Sequence, residues 1–131
     1  MKHDILVIDD DKSFGWLIEK ILKDQFNVIN VGGGISAMKW LSEGNLPQLI
    51  LCDFNLPVID GIAFKDKLNQ SGSFRGIPFI LISAILDDNL LSDSKRAEIS
   101  HCLQKPFDPQ ELRDTINKVL TNHKPLSIAN G

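Results

Sequence analysis

Four stretches of this chain place chemically capable side chains at the ends of apolar runs. Ile5-Leu6-Val7-Ile8 leads into Asp9-Asp10-Asp11, and Leu49-Ile50-Leu51-Cys52 leads into Asp53. Phe79-Ile80-Leu81-Ile82 leads into Ser83-Ala84, and Cys102-Leu103-Gln104 leads into Lys105-Pro106-Phe107. Adjacent carboxylates repel one another. Helix capping explains one acid of the triplet, with Asp11 the expected cap. A bound cation would relieve the rest, and an all-oxygen ligand set suits a hard ion such as magnesium or calcium. Taken singly, Asp53 reads as a turn residue, Ser83 as a loop hydrogen-bonder and Lys105 as a solvated cation. Taken together, paired acids, a further acid, a hydroxyl and an ammonium arrive at four strand ends, which reads as one functional site.

The elements that must position these residues alternate in type. Short, mostly apolar runs read as strands: Ile5–Ile8, continuous and so buried on both faces, then Val28–Val31, Leu49–Cys52, Phe79–Ile82 and Cys102–Gln104. Helical spacing appears between them, at Phe14, Leu17, Ile18, Ile21 and Leu22, at Ala37, Met38 and Leu41 ahead of Gly44, and at Phe64 and Leu68 after Asp60. A fourth helix is expected within Asp88–Glu98, although Asn89, Ser92, Asp93 and Ser94 are poor helix formers. The last helix has the clearest start: Asp108 as cap, Pro109 at the first position and Glu111 as capping-box acid. Its expected stripe is Leu112, Ile116, Val119 and Leu120. The expected fold is α/β, a doubly wound five-stranded parallel sheet of flavodoxin-like (βα)5 type. Strand order is not readable from one sequence; 2-1-3-4-5 is chosen among the doubly wound orders. It brings Asp53 beside Asp9 and Asp10, at the carboxyl ends of the strands where such sheets carry their sites.

The chain has 131 residues, 43% of them hydrophobic and 24% charged, the profile of one globular domain. Residues 1–123 are read as that domain and 124–131 as a tail or the start of a linker. A net charge of −3 disfavours binding nucleic acid by charge. No apolar run reaches the roughly 20 residues that span a bilayer, and the start does not resemble a signal peptide. Cys52 and Cys102 lie inside apolar runs and read as small buried residues of a reducing compartment rather than a disulfide or metal ligands.

With Ile8-Asp9-Asp10-Asp11, Asp53-Phe54-Asn55-Leu56-Pro57, Asp60-Gly61, Ser83-Ala84 and Lys105-Pro106-Phe107 in this order, the chain resembles a response-regulator receiver domain of two-component signalling, from Ile5 to about Leu120. The resemblance implies that Asp53 is the phosphoacceptor. It implies that Asp10, Asp53 and the backbone carbonyl of Asn55 hold Mg2+, with Mn2+ as a substitute, and that Asp9 helps through water. Ser83 would bond the phosphoryl group after transfer, and Lys105 would pair with the acids and then with the phosphate. Gly61 would serve the turn before the third helix, and Lys105-Pro106 would be cis. Ile85, two residues past Ser83, would shield the phosphoryl group from water, while polar Asn55, two residues past Asp53, works against this. Cys102 stands where many receivers carry a switching aromatic, so two outcomes are open: the Asp88–Glu98 segment carries the rearrangement together with Ser83, which is the favoured expectation, or a partner senses the phosphorylated loops directly.

The resemblance further implies a sensor histidine kinase or histidine phosphotransfer protein as donor, an unknown downstream protein target, no direct nucleic-acid or membrane contact, and a cytoplasmic location. It implies no enzymatic activity beyond promoting phosphorylation and dephosphorylation of the chain itself. A flavin-phosphate protein should offer hydroxyls and N–H groups after the first strand, where this chain has three acids. A strand-end aspartate phosphatase should carry its nucleophile on the first strand, and a pseudo-receiver should lack the acceptor, an acid or the lysine. The chain is expected to be either a stand-alone regulator or a receiver cut from a longer protein.

Overall fold

The apolar runs form a parallel sheet because helices cover both faces, and the central runs Leu49–Asp53 and Phe79–Ser83 are buried along their whole length. The protein is described here by a computed structural model covering residues 2–122; the tail read from 124 onward lies outside them. The elements in order are β1 (His3–Ile8), α1 (Lys12–Leu22), β2 (Phe26–Val31), α2 (Gly34–Ser42), β3 (Leu49–Asp53), α3 (Gly61–Leu68), β4 (Phe79–Ser83), α4 (Asp88–Arg96), β5 (His101–Gln104) and α5 (Pro109–Asn122). The sheet order is β2-β1-β3-β4-β5, every pair parallel. This is the expected flavodoxin-like α/β fold.

Side chains alternate across a strand, so each central run splits between two cores. Ile5, Val7, Leu49, Leu51, Ile80 and Ile82 pack with Ile18 and Leu22 of α1 and Leu112 and Ile116 of α5. Leu6, Ile8, Ile50, Cys52, Phe79 and Leu81 pack with Ala37 and Leu41 of α2, Phe64 and Leu68 of α3, and Leu90 of α4. Four helices begin on an aspartate cap. Asp11 accepts from the N–H of Ser13 and Phe14 at 3.0 and 3.3 Å, Asp60 from Ala63 at 2.8 Å, Asp87 from Leu90 at 2.8 Å and Asp108 from Glu111 at 2.7 Å. Gly44, at φ 96°, follows α2 in the left-handed conformation that glycine adopts without strain.

Three details depart from the sequence reading. β2 starts at Phe26 rather than Val28, because His3 and Asp4 extend β1 and pair with Phe26 and Asn27. Leu17 of α1 is 49% exposed rather than part of the buried stripe. Cys102 is only half-buried, unlike Cys52, because β5 is an edge strand with one neighbour.

Candidate functional site

β1 and β3 are neighbours, with Ile8 opposite Cys52, so both chains leave the sheet side by side. Asp9, Asp10 and Asp53 thereby converge, each offering a carboxylate oxygen within 4.8 Å of the others. Asp9 and Asp53 are buried, and Asp10 faces solvent. Asp9 Oδ1 accepts the Asp11 N–H at 2.8 Å, whereas Asp9 Oδ2 is buried without a hydrogen-bond partner. Burial holds the Asp9 carboxyl above its ordinary pKa; the Asp11 N–H partly offsets this, and Asp53 adds to it.

Lys105 enters from β5. Its Nζ lies 2.9 Å from Asp53 Oδ1 and 3.8 Å from Asp9 Oδ2, so it pairs with the first and only approaches the second. The Lys105–Pro106 bond is cis, as the resemblance implies. Phe14, in the first turn of α1, holds the ammonium from another side, with Nζ 4.2 Å from the ring centre. Phe107 meets that ring edge-on, with centroids 5.9 Å apart. The sequence reading counted Phe14 only as core. The usable signal was its place three residues after the Asp11 cap, in the turn facing the strand ends.

Ser83 closes β4, which pairs with β3 in the register Asp53 to Ile82. Its hydroxyl is turned into its own loop: Oγ donates to the Ile85 carbonyl at 2.8 Å and accepts the Ile85 N–H at 3.2 Å. The Ser83 carbonyl accepts the Lys105 N–H at 2.9 Å, joining the ends of β4 and β5. Asn55 is exposed in the loop after Asp53 and lines the same groove as Ser83.

Gly61 sits against this loop, and its N–H donates to the Phe54 carbonyl at 2.9 Å. Its φ is not left-handed; the constraint is space. A Cβ there would lie 2.7 Å from both the Asp53 carbonyl oxygen and Leu81 Cδ1, so any larger residue would displace the end of β3. Cys52 beside Asp53 is sealed, and burial pushes its thiol pKa well up, as fits an inert core residue.

A parallel α/β sheet with acids on two adjacent strand ends, a hydroxyl on the third and a lysine on the last defines a class of signalling domain. The response regulator receiver domain family matches residues 5–117, and the chain belongs to it. It is 29% identical over 119 residues to the cyclic di-GMP phosphodiesterase response regulator RpfG of Xanthomonas campestris pv. campestris, covering 88% of this chain and 31% of that protein. It is 27% identical over 130 residues to the response regulator Rre1 of Synechocystis sp., covering 95% of this chain and 54% of that protein. The crystal structure of a putative response regulator from Chloroflexus aurantiacus superposes with a TM-score of 0.86 at 28% identity, over 93% of this chain and 100% of that one. The chain therefore spans about a third to a half of these two full-length relatives.

Proposed function

We propose that this receiver domain takes a phosphoryl group from a phosphohistidine onto Asp53. The observation that carries this reading is the contact of Lys105 Nζ with Asp53 Oδ1 at 2.9 Å, beside the buried, unpartnered Asp9 Oδ2. An oxygen of Asp53 forms a new bond to phosphorus as the phosphorus–nitrogen bond breaks, and the electron pair stays on the departing imidazole. The transition state spreads charge over the equatorial oxygens, so catalysis is positioning and charge stabilisation. Lys105, held by Asp53 and Phe14, supplies a cation at the acceptor oxygen.

The donor set fits a hard divalent ion: oxygen ligands alone, mutually repelling, one of them buried without a partner. Asp10, Asp53 and the Asn55 carbonyl would hold magnesium, or manganese in its place, with Asp9 acting through water. Once bound, the ion would neutralise charge on the incoming phosphoryl group.

The Ser83 hydroxyl must leave Ile85 to reach a phosphoryl group on Asp53, so phosphorylation and the loop after β4 are coupled. Ile85, 67% exposed, would screen the product from water and slow its hydrolysis. The chain would thus promote only its own phosphorylation and dephosphorylation. Its donor would be a sensor histidine kinase or a phosphotransfer protein, and its output contact with a target protein. Its location would be cytoplasmic; no helix among the described residues is long and apolar enough to cross a membrane.

A small-molecule phosphodonor with magnesium should add one phosphoryl group, read by intact mass. Asp53→Ala should abolish the adduct. An adduct that persists in the variant, or none in the parent protein, would overturn the assignment.

A further inference from the structure

Beside the acceptor, between α3 and α4, the surface opens into a groove of about 550 Å3. That is within the range of about 300–1,000 Å3 typical of ligand-binding pockets. Phe54, Ile62 and Leu90 are among its apolar lining residues. Ile85 stands at its mouth, 67% exposed although branched and apolar. The charged lining is one-sided: Asp60, Asp66, Asp87 and Asp93 against the single Arg96.

These acids are not equivalent. Asp60 and Asp87 are occupied as helix caps. Asp66 pairs with Arg96 at 3.4 Å. Asp93 is exposed and makes no ion pair among the described residues. A groove with an apolar lining and a free carboxylate on one wall complements a segment that carries an apolar anchor beside lysine or arginine. Its field repels phosphate-rich surfaces, whether nucleic acid or anionic lipid.

We propose that the α3–α4 groove docks a basic, apolar-anchored segment of a partner protein, with Asp93 as the charge that selects it. The groove is also tied to the site. Ile85 is held by two hydrogen bonds to the Ser83 hydroxyl, at 2.8 and 3.2 Å. When that hydroxyl turns to a phosphoryl group, the Ile85 backbone loses both bonds and the rim of the groove is released. This gating rests on the phosphoacceptor reading; the docking itself rests on shape and charge.

The test uses the full chain and a random 16-residue peptide library displayed on phage, selected with magnesium and beryllofluoride, a mimic of the aspartyl phosphate. Enriched sequences should carry lysine or arginine next to leucine, isoleucine or phenylalanine. As labelled peptides they should bind Asp93→Lys at least tenfold more weakly than the parent, by fluorescence anisotropy. Asp114→Lys, on the exposed face of α5, should bind them as the parent does. Omitting beryllofluoride should change the affinity at least threefold. Acidic or uncharged consensus sequences, no enrichment, or equal affinity for Asp93→Lys would overturn the docking proposal. So would sedimentation showing that the groove closes on a second copy of the chain. Equal affinity with and without the mimic would overturn the gating. Fluorine NMR reports separately whether beryllofluoride binds. Its failure to bind would count against the phosphoacceptor reading, while the Asp93→Lys comparison without the mimic still decides the groove.

Discussion

Two lysines mark opposite ends of the sheet, and they are compensated in opposite ways. Lys105, at the carboxyl end, is partly open to solvent and faces two carboxylates, one of which keeps a buried oxygen without a partner. Lys65, on α3 near the other end, is only 1% exposed and meets no carboxylate among the described residues. Its ammonium donates to Asn69 Oδ1 and to the Arg75 carbonyl, and Asn69 Nδ2 donates in turn to the Ala97 carbonyl at 2.8 Å. Burial lowers its pKa. The chain from Lys65 through Asn69 staples the end of α3 to the end of α4. Arg75 and Glu98 add an ion pair of 2.7 Å across the same junction.

Backbone conformation repeats the contrast. Each end has one non-glycine residue at positive φ, Val58 at 73° and Glu98 at 66°. Glu98 follows α4 in a Schellman arrangement, with its own N–H bonded to the Lys95 carbonyl and the Ile99 N–H to the Ser94 carbonyl. Val58 is the centre of a tight turn closed by the Ile59 N–H on the Pro57 carbonyl at 2.9 Å, a conformation that strains a branched residue. Uncompensated charge and strain therefore gather where a ligand is expected, and the charged groups at the other end, where helices only need to be held, are matched to partners.

The largest test compares the two lysines. Lys65→Ala removes a buried stem and strands two acceptors, and should cost about 2–4 kcal/mol in urea denaturation. Lys65→Met, which keeps the volume, should lose less. Lys105→Ala should stay within about 1 kcal/mol of the parent while losing the response to phosphodonor. Equal destabilisation by the two alanine variants would break the comparison.

Asp9→Asn should stabilise the metal-free protein, by up to about 1 kcal/mol, since one buried carboxylate oxygen has no partner. The pH dependence follows from the raised pKa. The protonated folded form is favoured, so stability held below the ordinary value of 3.8 is lost as pH rises through the higher folded value. The advantage of Asp9→Asn should therefore grow across that acid range and then level off. Saturating magnesium should shrink or reverse it. Melting curves from pH 3 to 8 with chelator or with magnesium would show a flat difference if Asp9 carried no such penalty.

Ser94 Oγ on α4 is the other buried oxygen left unpaired among the described residues. Ser94→Ala removes it and raises helix propensity, which should add between roughly 0.5 and 1 kcal/mol. Protection of the α4 amides in hydrogen exchange should rise with it, and an unchanged rate would mean that this hydroxyl costs nothing. The smallest effect is expected at Val58→Gly, where relief of strain exceeds the added chain entropy by roughly 0.5 kcal/mol or less. A melting point below the parent's would show that the turn is not strained.

The sequence by itself determined the alternation of elements, the aspartate caps at Asp11 and Asp108, and the arrival of Asp9, Asp10, Asp53, Ser83 and Lys105 at strand ends. These are local properties, written in apolar spacing and in the chemistry of single residues. Only the tertiary structure decided that Phe14 cradles Lys105, that the Ser83 hydroxyl rests on Ile85, and that Asp9 keeps an unpartnered oxygen. It also decided the fate of Lys65, a charged side chain that the fold buries on α3. The Arg75 carbonyl supplies one partner, and the Ala97 carbonyl at the end of α4 holds the other, Asn69, by accepting its amide N–H. Likewise β2 gained Phe26 and Asn27 through pairing with β1, and Cys102 lost burial because its strand lies at an edge. Each of these outcomes depends on what another, distant segment places nearby, and the pattern of a segment encodes its own faces but not the identity of its neighbours.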